Sequence, residues 1–169
     1  MLKNVFYINL DKRPERRKRI EEQLEALRWE YERFRAIETR VGAVGCSLSH
    51  MAILKIAKER DLDYVVILED DILFTDIDFY KNRLKDILSK NIEYDVFYLA
   101  GFLRKKHMTT IEEGIIRIQK CLSTVGYMVK KHYYDKIINN INDHLKLLIE
   151  YPDKKELYAL DIGYQSLQR

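Results

Sequence analysis

Tyr64-Val65-Val66-Ile67-Leu68-Glu69-Asp70-Asp71 is the stretch around which this chain is built. The β-branched and apolar run predicts a buried strand, and its abrupt end in three carboxylates delivers charge to the edge of a sheet. In open α/β sheets that edge is where ligands bind. Side chains alternate along an extended strand, so Glu69 and Asp71 are expected to face one point and Asp70 the opposite side. Two carboxylates facing one point suit Mg²⁺ or Mn²⁺ holding phosphate oxygens, because these ions prefer oxygen donors to imidazole or thiolate. The plainer use of Asp70 and Asp71 is to cap the next loop. This stretch alone leaves both uses open.

Outward from that strand, composition bounds the answer. With 169 residues, 47% of them hydrophobic, and no linker-like stretch, one domain over residues 1–169 with a sizeable core is expected. Lys and Arg number 30 against 27 Asp and Glu, and the net charge of +3 is spread through the chain, so nucleic-acid binding is not implied. Cys46 and Cys121 are too few for a disulfide framework and show no Cys-x-x-Cys or His-rich spacing, which predicts a reducing compartment. The apolar start is shorter than a signal-peptide core, and no run approaches a membrane span. A cytoplasmic location, at most at a membrane surface, is the expectation.

Val5 to Leu10 predicts a first strand, followed by a loop at Asp11-Lys12-Arg13 and a helix over 15–27 that Pro14 introduces, with Ile20, Leu24 and Leu27 at helical spacing. Lys12, Arg13, Arg16, Arg17 and Arg19 gather near that helix start, where backbone N–H groups suit a phosphate, although taken alone the stretch reads more readily as a solvated face paired with nearby glutamates. A partly exposed strand is predicted over 31–37, a break over Gly42 to Gly45, and a helix over 51–60. Ser47, Ser49 and His50 then fall near the helix start, as caps or as hydrogen-bonding groups for a diphosphate or sugar. Further expectations are a helix over 78–89, a strand over 94–99, and an exposed basic loop over 103–110 with His107. Strands over 115–119 and 122–129 are expected to form a hairpin or sheet extension. A long helix over 131–150 should bury Ile137, Ile138, Ile141, Leu145, Leu148 and Ile149, and Asp161 should open a short last helix over 162–167.

Six landmarks in order resemble glycosyltransferase family 25, the group with lipopolysaccharide and procollagen galactosyltransferases. They are Ile8-Asn9-Leu10-Asp11-Lys12-Arg13-Pro14-Glu15-Arg16-Arg17, Gly45-Cys46-Ser47-Leu48-Ser49-His50, Ile67-Leu68-Glu69-Asp70-Asp71, Asp95-Val96-Phe97-Tyr98-Leu99, the strand from Thr124 to Val129, and Asp161. The resemblance implies a GT-A-like α/β domain, with a mixed, mainly parallel sheet flanked by helices, that binds a nucleotide-sugar donor. It implies that Glu69-Asp70-Asp71 stands for the Asp-x-Asp element, with Glu69 and Asp71 on Mn²⁺ or Mg²⁺ and Asp70 at the donor. Ile8, Asn9, Leu10 and Asp11 would border the base and ribose, with Arg13 and Arg16 near the nucleotide. Ser49 and His50 would lie near the donor, and Thr124 and Tyr127 would line the sugar or acceptor side.

The same resemblance implies a UDP-hexose, galactose before glucose, and inversion at the anomeric carbon. The acceptor would be a glycan, a lipid-linked saccharide or a protein hydroxyl, and Asp161 is the candidate general base, its plainer role being a helix N-cap. The family's domain normally continues beyond the position of Arg169 with more of the acceptor-side wall. Two other classes are a non-catalytic binding or adaptor protein on the transferase fold, and a phosphoacceptor receiver domain. The receiver reading is disfavoured because the first strand leads into Asn9-Leu10-Asp11-Lys12-Arg13 rather than an acidic pair.

Overall fold

The computed structural model describes residues 1–90, 92–103, 108–112 and 114–168. In chain order its strands and α-helices are β1 (Val5–Asn9), α1 (Pro14–Leu27), β2 (Tyr31–Arg35), α2 (Gly42–Glu59), β3 (Tyr64–Glu69), α3 (Ile77–Ser89), β4 (Val96–Leu103), β5 (Met108–Glu112), β6 (Ile115–Ile118), β7 (Cys121–Lys130), α4 (Tyr134–Glu150), α5 (Lys155–Tyr158) and α6 (Leu160–Tyr164). Among the described residues the main sheet has the order β2-β1-β3-β7-β4. Its β1/β2 and β1/β3 pairs are parallel, while β7 runs antiparallel to both β3 and β4. Four of these five strands therefore point the same way. This is the expected mixed α/β architecture, consistent with a GT-A-like domain.

The strands are apolar on both faces because both faces are covered. Val65 and Ile67 point into one cluster with Phe6, Ile8, Leu54 of α2 and Ile137 and Ile141 of α4. Val66 and Leu68 point into the other with Tyr7, Ile20 and Leu24 of α1 and Leu84 of α3. Each such side chain taken fully out of water contributes about 1.5–3 kcal/mol. Helix α1 begins at Pro14 as expected and ends at Arg28 in the left-handed conformation, φ 58°.

Several expectations are corrected. Strand β3 stops at Glu69, with Asp70 and Asp71 in the following turn, so the strict alternation across the three acids does not continue. Helix α2 starts at Gly42, not near residue 51. The glycines that suggested a break form its first turns, and Gly45 is needed for contact: a Cβ there would lie 2.3 Å from the Ile37 carbonyl oxygen. Of the two alternatives for 115–119 and 122–129, the sheet extension holds for β7, which enters the main sheet between β3 and β4, whereas the hairpin does not form among the described residues and β6 pairs with β5 in a separate ribbon. Residues 104–107 of the predicted loop, with His107, lie outside the described residues, and Met108–Glu112 is strand. Helix α4 follows a short 3-10 turn and leaves Ile149 61% exposed, because Leu145 and Leu148 define its buried stripe at that end.

Candidate functional site

Parallel pairing sets Ile8 opposite Glu69, which brings the next residues, Asn9 and Asp70, side by side at the carboxyl ends of β1 and β3. Asn9 is buried and acts as a hub. Its Nδ2 donates to Asp70 Oδ2 at 2.7 Å and to the Arg13 carbonyl at 3.1 Å. Its Oδ1 accepts from Nε and Nη2 of Arg33 at 3.1 and 2.9 Å. Arg33 also donates to Asp11 Oδ1 at 2.6 Å, and Arg35 pairs with Asp11 Oδ2 at 2.6 Å. The Arg33 hydrogen bond, helped by the charges of Arg35 and Arg33, outweighs desolvation and holds the Asp11 carboxyl below its ordinary range.

Arg16, in the first turn of α1, places Nη1 3.1 Å from Asp70 Oδ1 and 3.2 Å from Asp71 Oδ2. The hydrogen bond to Asp70 is the largest reason its guanidinium is raised above the usual value. Asp70 is thereby held on both oxygens, while Asp71 keeps Oδ1 outside the Arg16 bond and is 45% exposed. Carboxylate oxygens at Asp71 and Glu69 are donors of the kind Mg²⁺ or Mn²⁺ prefers, but Asp71 is shared with Arg16, a competing cation, and Glu69 is turned to other partners. The structure does not put Asp70 alone on the opposite side: it and Asp71 share Arg16, and Glu69 takes other partners. The turn after β3 is the reason, since the pleat that would alternate them has ended.

Glu69 instead accepts from Thr124 Oγ1 of β7 at 3.0 Å and lies 3.6 Å from Nε2 of His50. Burial pushes its carboxyl up, but the neighbouring His50 and the Thr124 hydroxyl outweigh that and leave it below the ordinary value. His50 is fully buried on α2, stacked on Tyr127 with ring centroids 5.7 Å apart. Its Nδ1 is 2.8 Å from the Tyr127 hydroxyl, which is 3.0 Å from the Tyr164 hydroxyl of α6. Burial drives both phenols well above their ordinary range, so they are neutral hydrogen-bonding groups. Cys46, one turn before His50, completes a cluster in which sulfur, nitrogen and carboxylate oxygen all lie within 4.8 Å of one another. Burial, then the charges of Glu69, Asp161 and Asp71, raises its thiol far above normal.

Asp161 borders the same region, because its Oδ2 accepts from the Ser123 N–H at 3.2 Å and its Oδ1 from the Ile162 N–H at 3.0 Å. Ser123 has φ 79°, a left-handed position at the start of the segment that carries Thr124, and Asp161 braces it. The N-cap of α6 is Ala159, so Asp161 is not the cap.

Other expected residues have different tasks. Ser49 is buried, donates to the Gly45 carbonyl at 2.7 Å and accepts from the Ile37 N–H at 2.9 Å. Its hydroxyl is spent inside the fold, fastening α2 to the segment after β2. Ser47 donates to the Ala43 carbonyl, so neither serine caps the helix, which has already begun. The Ile8 side chain belongs to the core. Leu10 is half-buried and its carbonyl accepts from the Arg13 N–H, while the exposed Arg13 side chain pairs with Glu15 at 3.8 Å. Sequence reasoning missed Arg33, Tyr164 and the partnership of Cys46 with His50. Only the last had a local signal, the four-residue spacing on one helix face, and the presumed break at Gly42 to Gly45 hid it.

The family model for glycosyltransferase family 25 (LPS biosynthesis protein) matches residues 39–151, from before α2 to the end of α4. The chain belongs to glycosyltransferase family 25. Among family 25 relatives, a glycosyltransferase 25 family member of Drosophila pseudoobscura pseudoobscura is 27% identical over 184 residues, covering 91% of this chain and 28% of the relative. Procollagen galactosyltransferase 1-B of Xenopus laevis is 25% identical over 173 residues, covering 80% and 28%. Inactive glycosyltransferase 25 family member 3 of Mus musculus is 33% identical over 90 residues, covering 51% and 14%. The match therefore spans about a quarter of the first two relatives' length. Among the described residues, no helix is long and apolar enough to cross a membrane.

Proposed function

We propose that this chain carries the donor site of a hexosyltransferase that moves a sugar from a UDP-sugar, galactose before glucose, to a hydroxyl of a glycan, lipid-linked saccharide or protein. The observation that carries this reading is the polar network at the carboxyl ends of β1 and β3, where Asn9, Arg16, Asp70 and Asp71 meet in a chain of this family. Arg16 offers a fixed cation to a diphosphate, and the Asn9, Arg33 and Asp11 network holds the loop that would border the base and ribose. A divalent ion, Mn²⁺ or Mg²⁺, held by Asp71 with Glu69 would supply charge neutralisation at the diphosphate as the sugar bond breaks.

In the inverting reaction the acceptor hydroxyl forms its bond to the anomeric carbon from the face opposite UDP, the sugar–phosphate bond breaks, and the hydroxyl proton passes to a base. Asp161 is the candidate for that base. Thr124 donates to Glu69 and orients it, and Tyr127 orients His50. A cytoplasmic site of action, at most at a membrane surface, belongs to the same reading. A second reading, a binding protein without turnover, is favoured by the similarity to the inactive mouse relative.

Calorimetric binding of UDP, UDP-galactose and UDP-glucose, each with Mn²⁺ and with chelator, tests the proposal. Metal-dependent binding that is lost in Asp71→Ala supports the donor site. Affinity that is the same in the variant and with chelator counts against the metal role. Absence of binding under every condition overturns the donor-site reading, whereas binding without turnover on any acceptor favours the second reading.

A further inference from the structure

We propose that Cys46, His50 and Glu69 form a binding site for a thiophilic divalent cation of the zinc class, adjoining the network around Asp70 and sharing Glu69 with the ion of the donor-site reading. Their ligand atoms lie within 4.8 Å of one another. Two elements build the cluster: Cys46 and His50 stand four residues apart on one face of α2, and Glu69 is delivered by the end of β3.

The decisive atom is Nε2 of His50. It is buried, has no hydrogen-bond partner among the described residues, and lies 3.6 Å from Glu69 Oε1. Buried polar atoms are nearly always satisfied, so an orphaned nitrogen in such a cluster points to a missing ligand. The other ring nitrogen is already anchored at 2.8 Å to the Tyr127 hydroxyl, which is itself anchored to Tyr164. Metal-bound histidines characteristically donate their second N–H in this way. With Nδ1–H donating to Tyr127, and Tyr127 donating to Tyr164, the Nε2 lone pair faces the cluster.

The donor set selects the ion. Sulfur with imidazole and one carboxylate is zinc-like, whereas Mg²⁺ and Mn²⁺ prefer all-oxygen surroundings. Tetrahedral bonds of about 2.0–2.3 Å put ligand atoms roughly 3.3–3.8 Å apart, so closing around an ion asks each side chain to move by about an ångström or less. On binding, the Cys46 S–H bond breaks, its proton goes to solvent, and the thiolate electron pair forms the metal–sulfur bond, with no change of oxidation state. Glu69 has 31% of its side chain exposed, which leaves a route in and a fourth position for water. The inference does not rest on the nucleotide-sugar reading.

Cobalt substitution tests it. Co²⁺ titrated into the full chain in a non-thiol reductant is expected to give a near-ultraviolet thiolate-to-cobalt band and intense tetrahedral visible bands, saturating at one equivalent. Zn²⁺ should abolish them, since it binds such sites more tightly than Co²⁺. Cys46→Ser should remove the near-ultraviolet band and Cys121→Ser should keep it. To guard against a folding defect in Cys46→Ser, Zn²⁺ should slow iodoacetamide alkylation of Cys46 at least tenfold in the unaltered protein, read by peptide mass. A spectrum that stays that of hydrated cobalt, a band that survives Cys46→Ser, or unslowed alkylation overturns the site. UDP binding with Mn²⁺, measured on protein to which no Co²⁺ or Zn²⁺ has been added, scores the donor-site reading separately.

Discussion

Asn9→Asp puts the hub of the β1 and β3 ends to a direct test. Asn9 Nδ2 sits 2.7 Å from Asp70 Oδ2, so the variant sets two carboxyls at a distance where both cannot ionise. The pair then titrates as a unit and holds one proton to a higher pH than the unfolded chain does. The guanidinia of Arg16 and Arg33 beside the pair offset part of the repulsion, and the loss near neutral pH is about 1–3 kcal/mol, the cost of a buried polar contact replaced by one that cannot be satisfied without a proton. The sign follows from linkage: the folded state is the one binding the extra proton, so the variant's stability is retained below about pH 4 and lost as pH rises through the raised value. A further pH-independent loss of about 1 kcal/mol comes from the Arg13 carbonyl, which no longer receives its hydrogen bond. Urea midpoints of both proteins at intervals from pH 4 to pH 7 give the comparison, with equal slopes required for reading midpoints as stability. Curves that run parallel across that range would refute the placement of Asn9 against Asp70.

Gly45→Ala should lower stability by about 1–3 kcal/mol in a denaturant melt, because the added methyl meets the Ile37 backbone carbonyl rather than a side chain that can turn away; an unchanged melt would contradict the close approach of α2. Glu69 has its carboxyl held low, so the stability it contributes is present above its ordinary value of 4.5 and lost as pH falls through the folded value. Glu69→Gln should therefore sit below the unaltered protein by a constant amount near neutrality, and the gap should narrow on acidification in urea titrations. For the proposed base, Asp161→Asn should cut turnover by about 10²–10⁴-fold while leaving UDP-sugar affinity within a few-fold. Loss of donor binding in that variant would make Asp161 a structural brace of Ser123 instead.

Much of the fold was legible because its signals are local. The unbroken β-branched and apolar run marked β3 at Val65 to Leu68, and apolar spacing placed α1 and most of α4 without knowledge of any partner. The break wrongly read at Gly42 to Gly45 shows where local propensity fails: Gly45 stands inside a helix where close approach of the Ile37 carbonyl leaves no space for a side chain. Likewise Ile149 looked like core from its apolar character, but the direction from which α2 and α6 pack on α4 leaves it outside.

The site divides along the same line. Sequence by itself established that acids end a buried strand, that a basic segment follows the first strand, and that the ordered landmarks are those of family 25. Tertiary structure alone decided which acid meets which partner. Parallel pairing of β1 with β3 put Asn9 against Asp70, the turn after Glu69 gave Asp70 and Asp71 to Arg16, and insertion of β7 between β3 and β4 brought Thr124 and Tyr127 to Glu69 and His50. The physical reason is that strand register and crossover partners depend on contacts between residues dozens of positions apart, which periodicity along the chain does not encode.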